Sequence, residues 1–227
     1  MTESIRAQRA TDVGSWSFGG HWPTATTVMD AKPLPLAGRR VRLQMVGQEH
    51  YGFLHRLNVQ PEEGFRWRHQ GRTPSPEEAV RSLWNGTLAQ FIIETSDGLK
   101  PLGLVNAHNA DHRNATASFA LVSTPEARGS TKMLDGLFIF MNYLFTNWPF
   151  RKLYAEVLEY NMVQFRGSGS GLYVVEGCLR KHSYYANRYW DKYIICIYRD
   201  VWESVGTRYL DFALGLTENS NDDQLGV

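Results

Sequence analysis

The sequence predicts an α/β (α+β) chain built on one mixed central sheet of about seven strands flanked by helices, and three observations predict it. Short β-rich runs bounded by turn residues recur from Arg40 to Arg199. A long apolar-rich stretch with helical periodicity, Thr131 to Thr146, lies between two of them. The order strand, loop, helix, strand around that stretch calls for a parallel crossover in a sheet whose other neighbours follow each other as antiparallel runs.

The elements follow in order. The first thirty or so residues are rich in Ser, Thr and Gly and carry Trp16, Phe18 and Trp22, and Pro33 and Pro35 mark a linker, so 1–37 read as an N-terminal extension. Arg40-Val41-Arg42-Leu43-Gln44-Met45 alternates with period two and reads as a half-buried strand; a helix is expected from about Gln48 to Val59. Ser75-Pro76-Glu77-Glu78 is a helix start: a serine cap, proline at the first helical position and a glutamate three residues on, ended by Gly86. Leu88 to Thr95, the turn Ser96-Asp97-Gly98 and Leu102 to His108 read as a hairpin, extended to a meander by Ala115 to Val122. The long helix then presents Met133, Leu134, Leu137, Phe138, Met141 and Leu144 or Phe145 to the core. Lys152 to Leu158 is the next strand, a weaker helix spans about Asn161 to Ser170, and Tyr173 to Leu179 and Lys192 to Arg199 close the sheet around a turn at Ala186-Asn187. The main domain is thus expected over 38–203, with a C-terminal amphipathic helix and polar tail over 204–227.

Composition excludes several classes. A formal net charge of +1 with both signs mixed along the chain gives no field to gather nucleic acid or an anionic membrane. No run approaches the roughly 20 apolar residues of a membrane span, and the polar start is unlike a signal peptide, so a soluble cytoplasmic protein is expected. Cys178 and Cys196 lack CxxC spacing and read as small buried hydrophobes, and the seven histidines show no ligand spacing, so no metal is expected.

Four segments carry a family resemblance: Arg40-Val41-Arg42-Leu43, Thr124-Pro125-Glu126-Ala127-Arg128-Gly129, Lys152-Leu153-Tyr154-Ala155-Glu156-Val157 through Asn161, and Val175-Glu176-Gly177-Cys178-Leu179-Arg180. In order and spacing they resemble the GNAT superfamily of N-acetyltransferases, and its RimJ/RimL-type branch of ribosomal-protein alanine acetyltransferases. The resemblance implies the acyl-CoA N-acyltransferase fold, with a splayed strand pair that binds CoA, and transfer of an acetyl group from acetyl-CoA to a primary amine. The acceptor would be a protein N-terminus or a small-molecule amine.

The resemblance also implies roles for residues. Arg128, Gly129, Ser130, Thr131, Lys132 and Met133 would form the pyrophosphate loop at the start of the long helix, where converging N–H groups and the helix dipole favour anions. The family's two small loop residues are replaced here by Thr131 and Met133. A backbone N–H near Leu121 and Val122 would face the developing oxyanion, and Asn161 would hold the pantetheine arm. Glu156, Glu159 and His108 are candidates for the base that deprotonates the amine. At the position of the tyrosine that often protonates the thiolate stands Ser168, a candidate proton donor. The aromatic stretch Tyr184 to Trp190 would lie near the acceptor groove or at a homodimer contact. Two alternatives stay open: a catalytically silent GNAT-like binding or scaffold protein, motivated by Thr131, Met133 and Ser168, and an acyltransferase for longer acyl-CoA donors, which needs an apolar tunnel beside the long helix.

Overall fold

The computed structural model describes residues 34–59, 71–97, 100–165 and 171–217, and of 163–165 only the backbone. Seven strands form one sheet in the order β1-β2-β3-β4-β5-β7-β6. They are β1 (Val41–Met45), β2 (Thr87–Thr95), β3 (Pro101–Asp111), β4 (Thr116–Ser123), β5 (Lys152–Leu158), β6 (Val174–Tyr185) and β7 (Arg188–Tyr198). Every neighbouring pair is antiparallel except β4 and β5. The crossover between them is α3 (Thr131–Asn147), as the strand-helix-strand order requires.

Local chemistry sets the helix starts. In α2 (Pro76–Ser82) Ser75 caps the helix, its Oγ accepting from the Glu78 N–H at 3.2 Å, and proline fills the first turn. The stretch from Gln48 divides into a 3₁₀ turn, Gln48–His50, and α1 (Tyr51–Val59). α3 is buried on more than one face: Ile139, Phe140, Met141 and Leu144 are fully enclosed, because the sheet covers one side and the C-terminal helix the other. That C-terminal helix, α4 (Thr207–Leu214), follows a π-helical turn at Trp202–Gly206 and buries Leu210 and Ala213. Beside it, the buried Asp135 of α3 binds Arg40 through Nε at 2.6 Å and Nη2 at 2.9 Å, and the same guanidinium lies over Phe212.

The two faces of the sheet carry two cores. Phe91, Ile93, Val105, Phe119, Leu153 and Ile195 pack towards α3. Ile92, Leu104 and Val122 pack with Leu54 and Leu57 of α1 and Leu83 after α2. Gly103 permits the close approach of α3: a Cβ there would lie 2.1 Å from Val122 O and 2.7 Å from Met133 Cε.

Several boundaries differ from the sequence expectation. β3 runs three residues past His108 because a bulge, with Asn109 left-handed, lets the strand bend without ending. β6 and β7 reach Tyr185 and Arg188, so the stretch Tyr184 to Trp190 is strand and a two-residue turn, Ala186 and Asn187 both at positive φ. After β5 the chain forms a 3₁₀ helix, Glu159–Phe165, and the rest of the helix expected to Ser170 lies outside the described residues. The N-terminal extension 1–33 and the polar end beyond Thr217 lie outside them as well. Among the described residues no helix is long and apolar enough to cross a membrane, and no cluster of His, Cys, Asp or Glu could hold a metal ion.

Candidate functional site

The site begins where the parallel pair comes apart. β4 and β5 are in register at Thr116–Lys152, Ala117–Leu153 and Ser118–Tyr154 only. Beyond Ser118, β4 continues to Ser123 and β5 to Leu158 without pairing to each other. β5 keeps β7 as its partner along its whole length, and β4 keeps β3. The sheet therefore forks, and backbone groups along the fork have no strand opposite them.

The direction of those groups follows from the ladder. Thr124 N–H donates to Leu102 O on β3, while Ala115 O accepts from Arg151 N–H beside β5. Counting by twos, Ser118, Ala120 and Val122 turn their backbone groups to β3; the Phe119 N–H still faces Tyr154 of β5 at the last parallel pair, and the Phe119 carbonyl and both Leu121 groups turn into the fork. Of the two expected oxyanion donors, Leu121 is thus the one whose amide faces the gap. Val122's is committed to β3, and its side chain is packed under α1.

The diverging end of β4 leads through a 3₁₀ turn, Pro125–Ala127, into α3. Gly129 takes φ +72°, the left-handed turn that brings the chain round to the helix start. The helix caps itself: Ser130 Oγ accepts from Lys132 N–H at 3.1 Å and Ser130 O from Met133 N–H at 3.0 Å. Met133, 3% exposed, points into the core beneath Gly103, and Thr131 lines a small apolar cavity of about 70 Å³ beside α3. The side chains standing where small residues were expected are therefore turned inward. A pyrophosphate here would meet the Gly129 and Thr131 amides and the Lys132 ammonium.

On the opposite face the fork opens into a cavity of about 810 Å³. Its floor is the face of β3, β4 and β5 that carries Asn106, His108, Ser118, Ala120 and Glu156, and its rim includes Asn161, Tyr160 and Tyr184. Three predicted residues, His108, Glu156 and Asn161, are thus brought together. Glu156 is largely exposed and accepts a hydrogen bond from Lys192 Nζ of β7 at 2.9 Å. Glu159 lies outside the cavity lining and pairs with Arg188 at 3.5 Å. Ser168 falls outside the described residues. Phe119, at the first position past the last paired residues, lines both cavities and stands between them.

Neither cysteine is among the residues lining the larger cavity. Both are free thiols, and burial pushes Cys196 up to about 12, so it stays protonated at neutral pH. Sequence reasoning missed Asn106, Ser118 and Lys192. Asn106 and His108 share a face with Leu104, so period-two counting offered the signal: two polar residues continuing an apolar stripe.

No protein-family model and no curated protein sequence matches the chain. Solved structures do. A GCN5-related N-acetyltransferase from Brucella melitensis aligns with TM-score 0.64 and 19% identity over 86% of this chain and 94% of its own. Spermidine N-acetyltransferase from Vibrio cholerae, solved with CoA and spermine, aligns with TM-score 0.62 and 20% identity over 72% of this chain and 98% of its own. A probable GNAT-family acetyltransferase from Chromobacterium violaceum gives TM-score 0.60 at 16% identity over 75% and 89%. The mixed seven-stranded sheet with its flanking helices is the GNAT acetyltransferase fold.

Proposed function

We propose that this chain is an acyl-CoA-dependent N-acyltransferase that moves an acetyl group from acetyl-CoA to a primary amine, of a small molecule or a protein N-terminus as in the RimJ/RimL-type branch. The observation that carries the reading is the fork: unpaired strand edges on one side and a roomy polar cavity on the other, meeting at Phe119. Bound acetyl-CoA would supply an activated thioester. The fork's free backbone groups and Asn161 suit a pantetheine arm with its two amides, and the α3 start with Lys132 suits its phosphates.

The chain's own groups then divide the work. The Leu121 N–H faces the place where negative charge develops on the carbonyl oxygen, and a fixed amide there needs no reorganisation as the amine attacks. His108, on the cavity floor, accepts the amine's proton; Glu156 is the poorer base because its carboxylate is already tied to Lys192. The thiolate, with a thiol pKa of roughly 8.5, leaves without an obligatory acid.

Thiol release from acetyl-CoA in the presence of primary amines tests this. Turnover abolished by omitting the amine supports the reading; no turnover, together with no thermal stabilisation by millimolar acetyl-CoA, overturns it. The internal cap on α3 favours a second reading, a binding protein without catalysis, because Ser130 already occupies the Lys132 N–H that a phosphate would use. Stabilisation by acetyl-CoA with no thiol release would select it.

A further inference from the structure

One polar side chain in the acceptor cavity is left without a role by the chemistry above. Asn106 sits in the middle of β3, 1% exposed, and neither its amide nitrogen nor its oxygen has a hydrogen-bond partner. It nevertheless lines the 810 Å³ cavity. Its partner across β4 is Ala120, too small to fill the space in front of it, and its partner across β2 is Gln90, whose Oε1 is unpartnered too. A buried amide with no partner costs about 1–3 kcal/mol, and an apolar residue of the same size would avoid that cost. The amide at 106 is accounted for by something that enters the cavity and pairs with both its donor and its acceptor.

The charges around the cavity narrow what that is. Among the described residues its two carboxylates are both paired, Glu78 with Arg72 at 3.1 Å and Glu156 with Lys192 at 2.9 Å, and the remaining titratable side chains in the lining other than tyrosine are His108 and His182. A polyamine brings several positive charges, each of which needs a carboxylate once it leaves water. Among the described residues of this lining none is unpaired. A single amine that loses its proton to react, joined to an uncharged hydrogen-bonding group, meets no such demand.

Resting on the acyltransferase reading above, we propose that Asn106 is a specificity-determining residue of the acceptor site. It holds an uncharged donor–acceptor group, such as an amide, carried next to the reacting amine, and the cavity selects monoamines of this kind over polycations. His108, two residues along the same face of β3 and in the same lining, stands beside the amine so placed.

Three acceptors test this in the thiol-release assay: glycinamide, isobutylamine, which has its shape without the amide, and spermidine. Rates are compared per free amine. The wild type is expected to favour glycinamide over both, and Asn106→Leu to lower the glycinamide-to-isobutylamine ratio of kcat/KM at least about tenfold, mainly through KM, the size of one buried hydrogen bond. Asn106→Ala reads the same ratio should the leucine variant not fold. An unchanged ratio, or a wild type that prefers spermidine, overturns the proposal. Thermal shift with glycinamide separates it from the activity it rests on. Stabilisation of the wild type but not the variant, with no turnover of any amine, refutes acyl transfer and leaves Asn106 as the binding residue; neither shift nor turnover removes both.

Discussion

The closed end of the fork is held by a part-buried ion pair, and replacing Lys152 with methionine measures its worth. Lys152 lies opposite Thr116 on β4 and Tyr198 on β7, at the root of the split. Its Nζ donates to both Glu176 oxygens, at 2.9 and 3.0 Å, and its side chain is 10% exposed against 25% for Glu176. The Tyr198 hydroxyl also donates to Glu176, so the carboxylate keeps one partner in Lys152→Met. Removing one member of a buried pair costs about 3–5 kcal/mol and an exposed pair contributes at most about 1; partial exposure and the remaining tyrosine put this case between them, about 2 kcal/mol, or roughly 4–8 °C in Tm for a domain of this size.

The pH dependence has a definite sign. Glu176 is held below its ordinary value by the Tyr198 hydroxyl and then by Lys152, and Lys152 is held above its own by Tyr154 and Glu176. The depressed acid gives stability that is present above the unfolded value of 4.5 and lost as pH falls through the folded one; the raised base gives stability present below the unfolded 10.5 and lost as pH rises through the folded one. Urea unfolding of wild type and variant should therefore differ most between these values, and the gap should narrow as pH drops below 4.5. Pairing Lys152→Met with Glu176→Leu should recover most of the loss, since no charge is then stranded. A double variant no more stable than the single one, or a gap that is the same at pH 3 and pH 7, would refute the electrostatic account.

Other outcomes follow from the site. Asn161→Ala should weaken acetyl-CoA binding by about tenfold in calorimetry, one hydrogen bond's worth, while leaving Tm within a degree or two. Gly129→Ala places a Cβ at φ +72°, and should cost about 1 kcal/mol in stability and weaken CoA binding by shifting the loop that leads into α3. His108→Gln should lower kcat/KM about a hundredfold and remove the acidic limb of its pH profile, with Glu156→Gln affecting both far less; the reverse pattern would reassign the base.

Much of this architecture was legible in the residues. β-rich runs bounded by turn residues located every strand, and the Ser75 cap and the apolar stripe of Met133, Leu137, Met141 and Leu144 located two helices, because local pattern and final burial agree there. The fork was implied only by family resemblance, since no residue type marks where pairing stops: Phe119 and Leu121 look like any meander strand. Side-chain direction was the harder matter. The family resemblance gives Met133 a loop role and helical periodicity gives it a core role; the structure agrees with the periodicity, because Gly103 on the neighbouring strand makes room for the side chain. Asn106 reads as a solvated residue in an alternating strand and becomes conspicuous only once α1 and α2 cover the sheet around it.

The central claim is that the fork between β4 and β5 seats a thioester carrier, and amide hydrogen exchange with acetyl-CoA tests it at the backbone itself. The Leu121 N–H faces the gap with no strand opposite, so its exchange should slow at least about tenfold at saturating acetyl-CoA, while Ser118 and Ala120, bonded to β3, change little. Unchanged exchange at Leu121 in millimolar acetyl-CoA would contradict the account.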